Sequence, residues 1–331
     1  MKPIVPMSSP DISEAERQAV LSVLNTPNLS MGPWTERFEQ AFCERTGSKH
    51  AISVNSGTAG LHLCVRAAGW GPGDLVLTTS FSFVASTNVL LFENAVPVFV
   101  DVENRGGNID PALVEQAAAD LTRGGAAAQR WLPRQGVPQG AKLRGLLAVD
   151  VFGQPADLAA LRATADRYGL GFIEDSCEAL GAEFKGKPAG TFGDSGVFAF
   201  YPNKQITTGE GGMIVTDDDQ AAHLMRALRN QGRAPGDTWL QHTYLGYNYR
   251  IDEMSAALGS VQMSRLDELI AKRQRVADWY EERLAELPFE APYVAPYTSK
   301  ASWFVYVIRM PKGVERAKVA AALSERGIPV R

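Results

Sequence analysis

Short apolar runs alternate with segments of helical period along most of this chain. The runs at 50–54 and 171–175, for example, are separated from their neighbours by segments whose apolar residues recur on one helical face. Short apolar runs bounded by turn residues are typical of buried strands, and the longer spacing is typical of helices with one buried side. The alternation therefore predicts an α/β domain built on a largely parallel sheet.

The individual elements can be placed from the same pattern. A helix is predicted to begin after an N-cap-like Asp11 or Ser13, and a strand, a turn and a helix are predicted over 50–69. Stretch 122–141 interrupts the rhythm with Gly, Pro and Arg, which indicates a surface insertion. Further strands are predicted in the runs "DLVLTT", "VPVFVDV", "LRGLLAVDVFG", "LGFIEDS", "SGVFAFYPN" and "GGMIVTD".

The pattern changes after Arg250. A long amphipathic helix is predicted first, and the strand "SWFVYVIRM", the helix "ERAKVAAALSERG" and the beginning of a strand, "IPVR", follow it. We predict a large domain over residues 1–251, and a linking helix with a smaller α+β domain over 252–331. A β-α-β unit that stops at its last strand cannot bury its faces alone, so we expect the smaller domain to be incomplete in this chain.

Composition narrows the classes of function. The net charge is only −4, with both signs interspersed, which gives no basic surface for nucleic acid and no polybasic membrane anchor. No apolar stretch has the length of a membrane span or a signal peptide. The three cysteines, Cys43, Cys64 and Cys177, lack the paired spacing of a zinc site or a disulfide framework. We expect a cytoplasmic protein that acts on small molecules.

Candidate chemistry lies at the ends of the predicted strands. In "NSGTAGL", Gly57, Thr58 and Ala59 lie between a strand and a helix, where free backbone N–H groups could bind a phosphate. An ordinary tight turn is the alternative. Asp175 and Lys204 also lie at strand ends, where ligands of open α/β sheets bind. A helix cap and a solvated lysine are the alternatives for these two residues.

Together these groups match the requirements of pyridoxal phosphate. Its aldehyde needs an amine, its ring nitrogen needs a carboxylate, and its phosphate needs backbone donors. An aromatic side chain against the ring would complete the set, and Phe81 and Phe83 are available in "SFSFVAS". A phenylalanine near a core is more often part of that core, so composition alone does not decide.

Longer motifs carry a resemblance to a known family. The strings "VNSGTAGLHL", "EDSCEALGAEFKGKPAGTFGDSGVFAF", "FYPNKQITTGEGGMIVTDD", "RNQGR" and "LGYNYRIDEMSAALGSVQMSRLDEL" resemble the sugar aminotransferases of the DegT/DnrJ group. The likeness runs in the family's order from "GPWTERFEQAF" onward. It implies the fold type I pyridoxal-phosphate architecture, with a large mixed, mostly parallel sheet, helices on both faces and a smaller C-terminal α+β domain.

The resemblance also implies roles for individual residues. Lys204 would bind the cofactor covalently and move the proton between the substrate carbon and the cofactor. Asp175 would pair with the pyridine nitrogen, and Phe83 would stack on the ring. The phosphate would be held by Gly57, Thr58 and Ala59 and, from the neighbouring subunit of a homodimer, by Asn248 and Arg250.

Two positions depart from the family pattern. Family members commonly have histidine or glutamine where this chain has Glu178, near the cofactor's phenolic oxygen. An ionised carboxylate would repel a phenolate, so we expect Glu178 to be protonated, rotated away or bonded elsewhere. A serine that often binds the phosphate is replaced by Ala199, so another group, such as Arg250, should supply that contact. Lys204 itself is retained, whereas a branch of the family that removes a sugar hydroxyl has histidine there.

The resemblance therefore implies amino transfer, with pyridoxamine phosphate as the form that carries the amino group. The expected donor is an amino acid, glutamate, and the expected acceptor is a keto-sugar linked to a nucleotide. A cyclitol or other ketone aminotransferase is one alternative, and a non-catalytic regulatory relative is another. Candidate residues of the substrate pocket, for which a solvated loop is the equally simple interpretation, are Trp34, Arg229, Asn230 and Arg233.

Overall fold

The computed structural model describes residues 6–330. Residues 1–5 and 331, the outer ends of the two predicted regions, lie outside this range. The strands of the described chain are β1 (His50–Val54), β2 (Asp74–Thr79), β3 (Val96–Val100), β4 (Lys142–Val149), β5 (Gly171–Asp175), β6 (Glu183–Phe184), β7 (Lys187–Pro188), β8 (Ser195–Ala199), β9 (Gly212–Thr216) and β10 (Thr298–Lys300).

Seven of these strands form one sheet, in the order β1-β9-β8-β5-β4-β2-β3. The pairs β2–β3, β2–β4, β4–β5 and β5–β8 are parallel, and β9 is antiparallel to both β1 and β8. The predicted mixed, mostly parallel sheet is therefore confirmed. Because β9 is antiparallel to both of its neighbours, β1 and β8 point in the same direction. β1 therefore runs in the same direction as the parallel strands. The carboxyl ends of β1, β2, β4, β5 and β8 therefore meet at one edge of the sheet.

Helices connect the strands and cover the sheet. A 3-10 turn over Val151–Gly153 follows β4. The α-helices are α1 (Glu14–Leu24), α2 (Pro33–Thr46), α3 (Gly57–Ala67), α4 (Ala85–Phe92), α5 (Pro111–Arg123), α6 (Gly125–Gln129), α7 (Leu158–Tyr168), α8 (Asp219–Arg229), α9 (Glu253–Ser264), α10 (Leu266–Leu284) and α11 (Arg316–Glu325).

Neighbouring residues along β5 and along β8 pack against different helices. Ile173 and Val197 lie in a core cluster with residues of α3 and α8. Phe172 lies in a second cluster with residues of α5 and α7, and Phe198 lies in a third with residues of α2 and α10. Side chains of a strand alternate between its two faces, so both faces of the sheet are covered by helices, as predicted.

The long helix predicted after Arg250 is interrupted. α9 ends at Ser264, and Arg265 has non-helical backbone angles before α10 begins. The Arg265 guanidinium contacts Asp11 at 2.8 Å and Glu16 at 2.6 Å near the start of α1. The helical period continues through residue 265, so the sequence pattern does not reveal this break. Asp11 is engaged in this cluster, and the cap of α1 is Ser13.

The C-terminal region differs from the prediction in both of its strands, and residues 328–330, the described part of the second one, form no strand. Residues 302–310 form no strand, and their only ladder contact within the described chain is an isolated bridge between Arg309 and Glu290. An apolar, β-branched run forms a strand only when it can pair with a neighbouring strand, and the described residues offer no such partner here. β10 instead pairs with β6, so a small sheet combines residues from both predicted regions. The domain boundary at residue 251 stays a prediction.

The insertion predicted over 122–141 is confirmed as largely exposed chain. It contains the last two residues of α5 and the short helix α6, and residues 130–141 form no helix or strand. Its attachment is local, because Trp131 donates a hydrogen bond of 2.9 Å to Asp120 of α5.

Candidate active site

The start of α3 offers backbone hydrogen-bond donors at the edge of the sheet where the carboxyl ends of the parallel strands meet. The Ser56 side chain caps the helix by accepting a hydrogen bond of 3.1 Å from the Ala59 N–H. Within residues 6–330, the N–H groups of Gly57 and Thr58 make no hydrogen bond. Free N–H groups at a helix N-terminus attract anions. Two of the three predicted phosphate contacts are thus available, whereas the Ala59 N–H is already engaged.

A close approach explains why residue 57 is a glycine. A Cβ atom at this position would lie 2.7 Å from Ala199 Cβ and 2.9 Å from Cys177 Sγ. Both distances are well below ordinary van der Waals contact. The missing side chain therefore allows the helix start to approach the ends of β5 and β8. Ala199, the position without the family's serine hydroxyl, lies directly against this turn.

Asp175 ends β5 and is almost fully buried. Its Oδ2 accepts a hydrogen bond of 2.7 Å from Ser86 Oγ, and its Oδ1 accepts one of 3.2 Å from the Cys177 N–H. Its preceding neighbour Glu174 faces away and accepts hydrogen bonds from Phe192 N–H at 2.9 Å and Gly193 N–H at 3.2 Å. Two donors thus fix the Asp175 carboxylate at this edge of the sheet, and its pairing with a ring nitrogen stays a prediction.

Lys204 follows β8 in the loop that leads to β9, and its side chain is only 14% exposed. Its Nζ lies 3.8 Å from Glu178 Oε1, beyond hydrogen-bond distance, and 4.1 Å from the centroid of the Phe304 ring. The amine is therefore held in a partly apolar environment without a direct hydrogen bond to Glu178. A solvated surface lysine, the alternative interpretation, does not agree with this burial.

Glu178 is bonded elsewhere, which was one of the three expected outcomes. Its Oε2 accepts a hydrogen bond of 2.9 Å from the Phe152 N–H. Burial raises the pKa of Glu178, and the positive charge of Lys204 opposes this rise. A carboxyl group with a raised pKa is more easily protonated, which reduces repulsion of a nearby phenolate.

The two candidate aromatic residues have different surroundings. Phe83 lies just before α4 and is 74% exposed. Phe81 packs edge-on against Phe152, with ring centroids 5.6 Å apart. Phe83 thus has a free ring beside the site, and its stacking on a cofactor stays a prediction.

The segment 247–250 is distant from residue 57 in sequence but close in space. The Asn55 N–H donates a hydrogen bond of 2.9 Å to the Tyr249 carbonyl, immediately before the α3 turn. Arg250 Nη1 donates one of 3.0 Å to Asn230 Oδ1. Arg250 therefore has a partner in its own chain, and its contact with a second subunit stays a prediction.

The candidate pocket residues fall into two groups. Arg229 is buried and forms an ion pair with Glu39 at 2.6 Å. These contacts indicate that it supports the fold rather than lines a pocket. The others lie in more exposed surroundings. Asn230 accepts the Arg250 bond described above, Arg233 stacks on Trp239, and Trp34 stacks under Arg37.

Sequence reasoning did not identify three further residues at this site. Ser86 orients Asp175, Phe304 faces the Lys204 amine, and Arg273 contacts the Lys204 carbonyl at 2.6 Å. The signal for Ser86 was its place in "SFSFVAS", close to the candidate aromatic residues. Phe304 and Arg273 approach the site only through the fold, and their local sequence gave no signal.

The residues present fit pyridoxal phosphate. Free N–H groups at the start of α3, the anchored Asp175 carboxylate and the buried Lys204 amine lie at one edge of the sheet. Within residues 6–330, no cluster of His, Cys, Asp and Glu could hold a metal ion. None of the described helices combines the length and apolar character required to cross a bilayer.

Comparison with known proteins agrees with this chemistry. Residues 10–331 match the DegT/DnrJ/EryC1/StrS aminotransferase family, and the chain belongs to this family. The fold and the site therefore define a pyridoxal-phosphate-dependent aminotransferase.

Particular relatives refine this assignment. The chain is 37% identical over 334 residues to GDP-perosamine synthase of Caulobacter vibrioides, covering 99% of this chain and 84% of the relative. The structure resembles S. venezuelae DesV in complex with a ketimine intermediate, with 33% identity, a TM-score of 0.82, and coverage of 94% and 77% of the two chains. It also resembles E. coli GDP-4-keto-6-deoxy-D-mannose-3-dehydratase with bound hydrated PLP, with 25% identity, a TM-score of 0.85, and coverage of 99% and 84%.

Proposed function

We propose that this protein transfers an amino group from an amino acid, glutamate, to a keto-sugar linked to a nucleotide. The observation that carries the proposal is the position of Lys204, which is largely enclosed at the same sheet edge as Asp175 and the free N–H groups of α3. A GDP-linked keto-sugar is the first acceptor to test, because the relative at 37% identity is named GDP-perosamine synthase.

Each group has a distinct task. The bound cofactor supplies an electron sink for the carbon that loses or gains a proton. Lys204 would hold the cofactor aldehyde in the resting enzyme, and once the amino group of the donor has displaced it, its free amine would accept and return the proton at that carbon. Asp175, anchored by Ser86, would hold a proton on the ring nitrogen through charge and a hydrogen bond. The N–H groups of Gly57 and Thr58 would bind the phosphate, which would fix the cofactor relative to Lys204.

Removal of a sugar hydroxyl is the competing reaction, because two structural neighbours are named as dehydratases. The branch of the family with that activity has histidine at the position of Lys204. A primary amine at this position supports amino transfer.

The test follows nitrogen from donor to acceptor. Purified holoenzyme is incubated with glutamate labelled at its amino nitrogen and a panel of nucleotide-linked keto-sugars and cyclitol ketones, and the products are analysed by mass spectrometry. We expect labelled amino-sugar with the wild type and none with Lys204→Ala. Amination of a cyclitol ketone alone would replace the sugar assignment. A protein that takes up no pyridoxal phosphate would support a regulatory role instead.

We also propose that two subunits share each active site. Asn248 and Arg250 would reach the phosphate of the partner, as the family resemblance implies, and the missing hydroxyl at Ala199 makes such a contact more needed. Mixing inactive Lys204→Ala with an inactive Asn248→Ala, Arg250→Ala variant places both lesions in one site of a hybrid dimer. Activity should then return from the other site. Hybrids that form without activity would mean that each subunit builds its own site.

A further inference from the structure

Arg273 of α10 joins two backbone segments that meet at the active site. Its Nη2 donates hydrogen bonds to the carbonyls of Asn203 at 3.3 Å and Lys204 at 2.6 Å. Its Nη1 donates to the carbonyls of Trp303 at 3.0 Å and Phe304 at 3.2 Å. One planar guanidinium therefore holds the loop of the proposed catalytic lysine beside a segment that is about a hundred residues distant in sequence.

The partners of Arg273 are unusual for a half-buried cation. Within residues 6–330, its hydrogen bonds go only to backbone carbonyls, and it forms no ion pair. Burial lowers the pKa of Arg273, and no carboxylate offsets the loss of hydration. A guanidinium kept in this environment indicates that the geometry of its fork, rather than the stability of an ion pair, is what the site requires.

The second segment is fixed to the site from several sides. Ser302 N–H donates a hydrogen bond of 2.7 Å to the Gly153 carbonyl, and Gln205 Nε2 donates to Ser302 Oγ at 2.8 Å. Trp303 has a positive φ of 50°, a conformation that a bulky residue adopts only when its surroundings hold it. The following residue, Phe304, presents its ring to the Lys204 amine at 4.1 Å.

We propose that Arg273 is a positioning residue that fixes the Lys204 backbone and holds the Phe304 ring against the Lys204 amine. The inference rests on the proposed role of Lys204 as the group that binds the cofactor and moves the proton. Arg273 touches no reacting atom. It acts through the two segments that its fork connects.

The competing interpretation is that Arg273 only packs α10 against the rest of the chain. Its loss would then lower overall stability without a specific effect on residues 203–205 and 302–304. Arg273→Lys keeps the charge but cannot bond all four carbonyls in one plane, and Arg273→Met keeps most of the length without the charge. Arg275→Met is the matched control, because Arg275 lies on the same helix and is exposed.

The first measurement is amide hydrogen exchange in cofactor-free protein, which does not depend on activity. We expect Arg273→Met and Arg273→Lys to exchange faster than the wild type in both 203–205 and 302–304, by on the order of tenfold. Exchange in β8 of both Arg273 variants should match the wild type. Exchange throughout Arg275→Met should also match the wild type. Faster exchange in only one segment, or a uniform increase over the whole chain, would overturn the proposal.

The second measurement separates kcat from KM. A displacement of about 1 Å can cost about a hundredfold in rate, so we expect kcat to fall by roughly ten- to a hundredfold, with KM for glutamate changed about twofold or less. Methylguanidinium added to Arg273→Ala should restore part of kcat. A wild-type kcat in Arg273→Met, while Lys204→Ala is inactive, would overturn the positioning role alone. Full activity in Lys204→Ala would refute the proposed function itself.

Discussion

The tight contact at Gly57 allows a quantitative test of the phosphate site. In Gly57→Ala, the new methyl group would begin 2.7 Å from Ala199 Cβ, whereas carbon atoms are most stable about 3.5 to 4.0 Å apart. The start of α3 must therefore move away from β8 by most of an ångström. Overpacking of this kind costs about 1 to 3 kcal/mol of the free energy of unfolding.

The same displacement should weaken cofactor binding. The N–H groups of Gly57 and Thr58 are the free donors at the helix start, and a hydrogen bond to a charged group contributes about 1.5 to 3 kcal/mol. Loss of one such bond raises the Kd for pyridoxal phosphate by roughly ten- to a hundredfold. Fluorescence or absorbance titration of cofactor-free protein measures this directly.

Two further variants make the test specific. Ala199→Gly in the Gly57→Ala background removes the nearest obstructing atom, so it should restore part of the affinity, while Cys177 Sγ at 2.9 Å still limits full recovery. Gly71→Ala is the control, because its new Cβ would meet nothing closer than the Glu93 carbonyl at 3.7 Å. Wild-type cofactor affinity in Gly57→Ala would refute the reasoning.

Two other predictions concern the carboxylates. Asp175→Asn removes the charge that keeps the ring nitrogen protonated, so the half-reaction with glutamate, followed by stopped-flow absorbance, should slow by orders of magnitude; an unchanged rate would make Asp175 a structural residue. Glu178→Gln keeps an acceptor for the Phe152 N–H but cannot ionise. Because the folded-state pKa of Glu178 is raised, its contribution to stability is present at low pH and is lost as the pH rises through that pKa. Denaturant titrations from acid to neutral pH should show the variant gaining stability relative to the wild type, and a pH-independent difference would contradict this.

The sequence pattern anticipated the parts of the site that follow directly from strands. Asp175 and Lys204 were recognisable because each follows an apolar run, and parallel strands bring their carboxyl ends to one edge. The start of α3 was recognisable from its small residues. These features depend on local sequence and on the common direction of the parallel strands.

Other features depend on contacts between distant segments. Arg265, at the break between α9 and α10, contacts the carboxylates of Asp11 and Glu16, and the helical period does not indicate the break. Residues 302–310 have the composition of a strand, yet they lack a partner strand among the described residues. Segment 302–304 instead packs against Gly153 and Arg273, and only this arrangement brings Phe304 to the amine.

Lys204 is proposed to bind pyridoxal phosphate covalently, and chemical reduction of the bound cofactor identifies the lysine that does so. Holoenzyme is reduced with borohydride, digested and analysed by mass spectrometry, with Lys204→Ala treated in parallel. We expect the cofactor-modified peptide to contain Lys204, and we expect the variant to yield no modified peptide while still binding the cofactor reversibly. Modification of a different lysine in the wild type, or unchanged modification in Lys204→Ala, would show that Lys204 does not have this role.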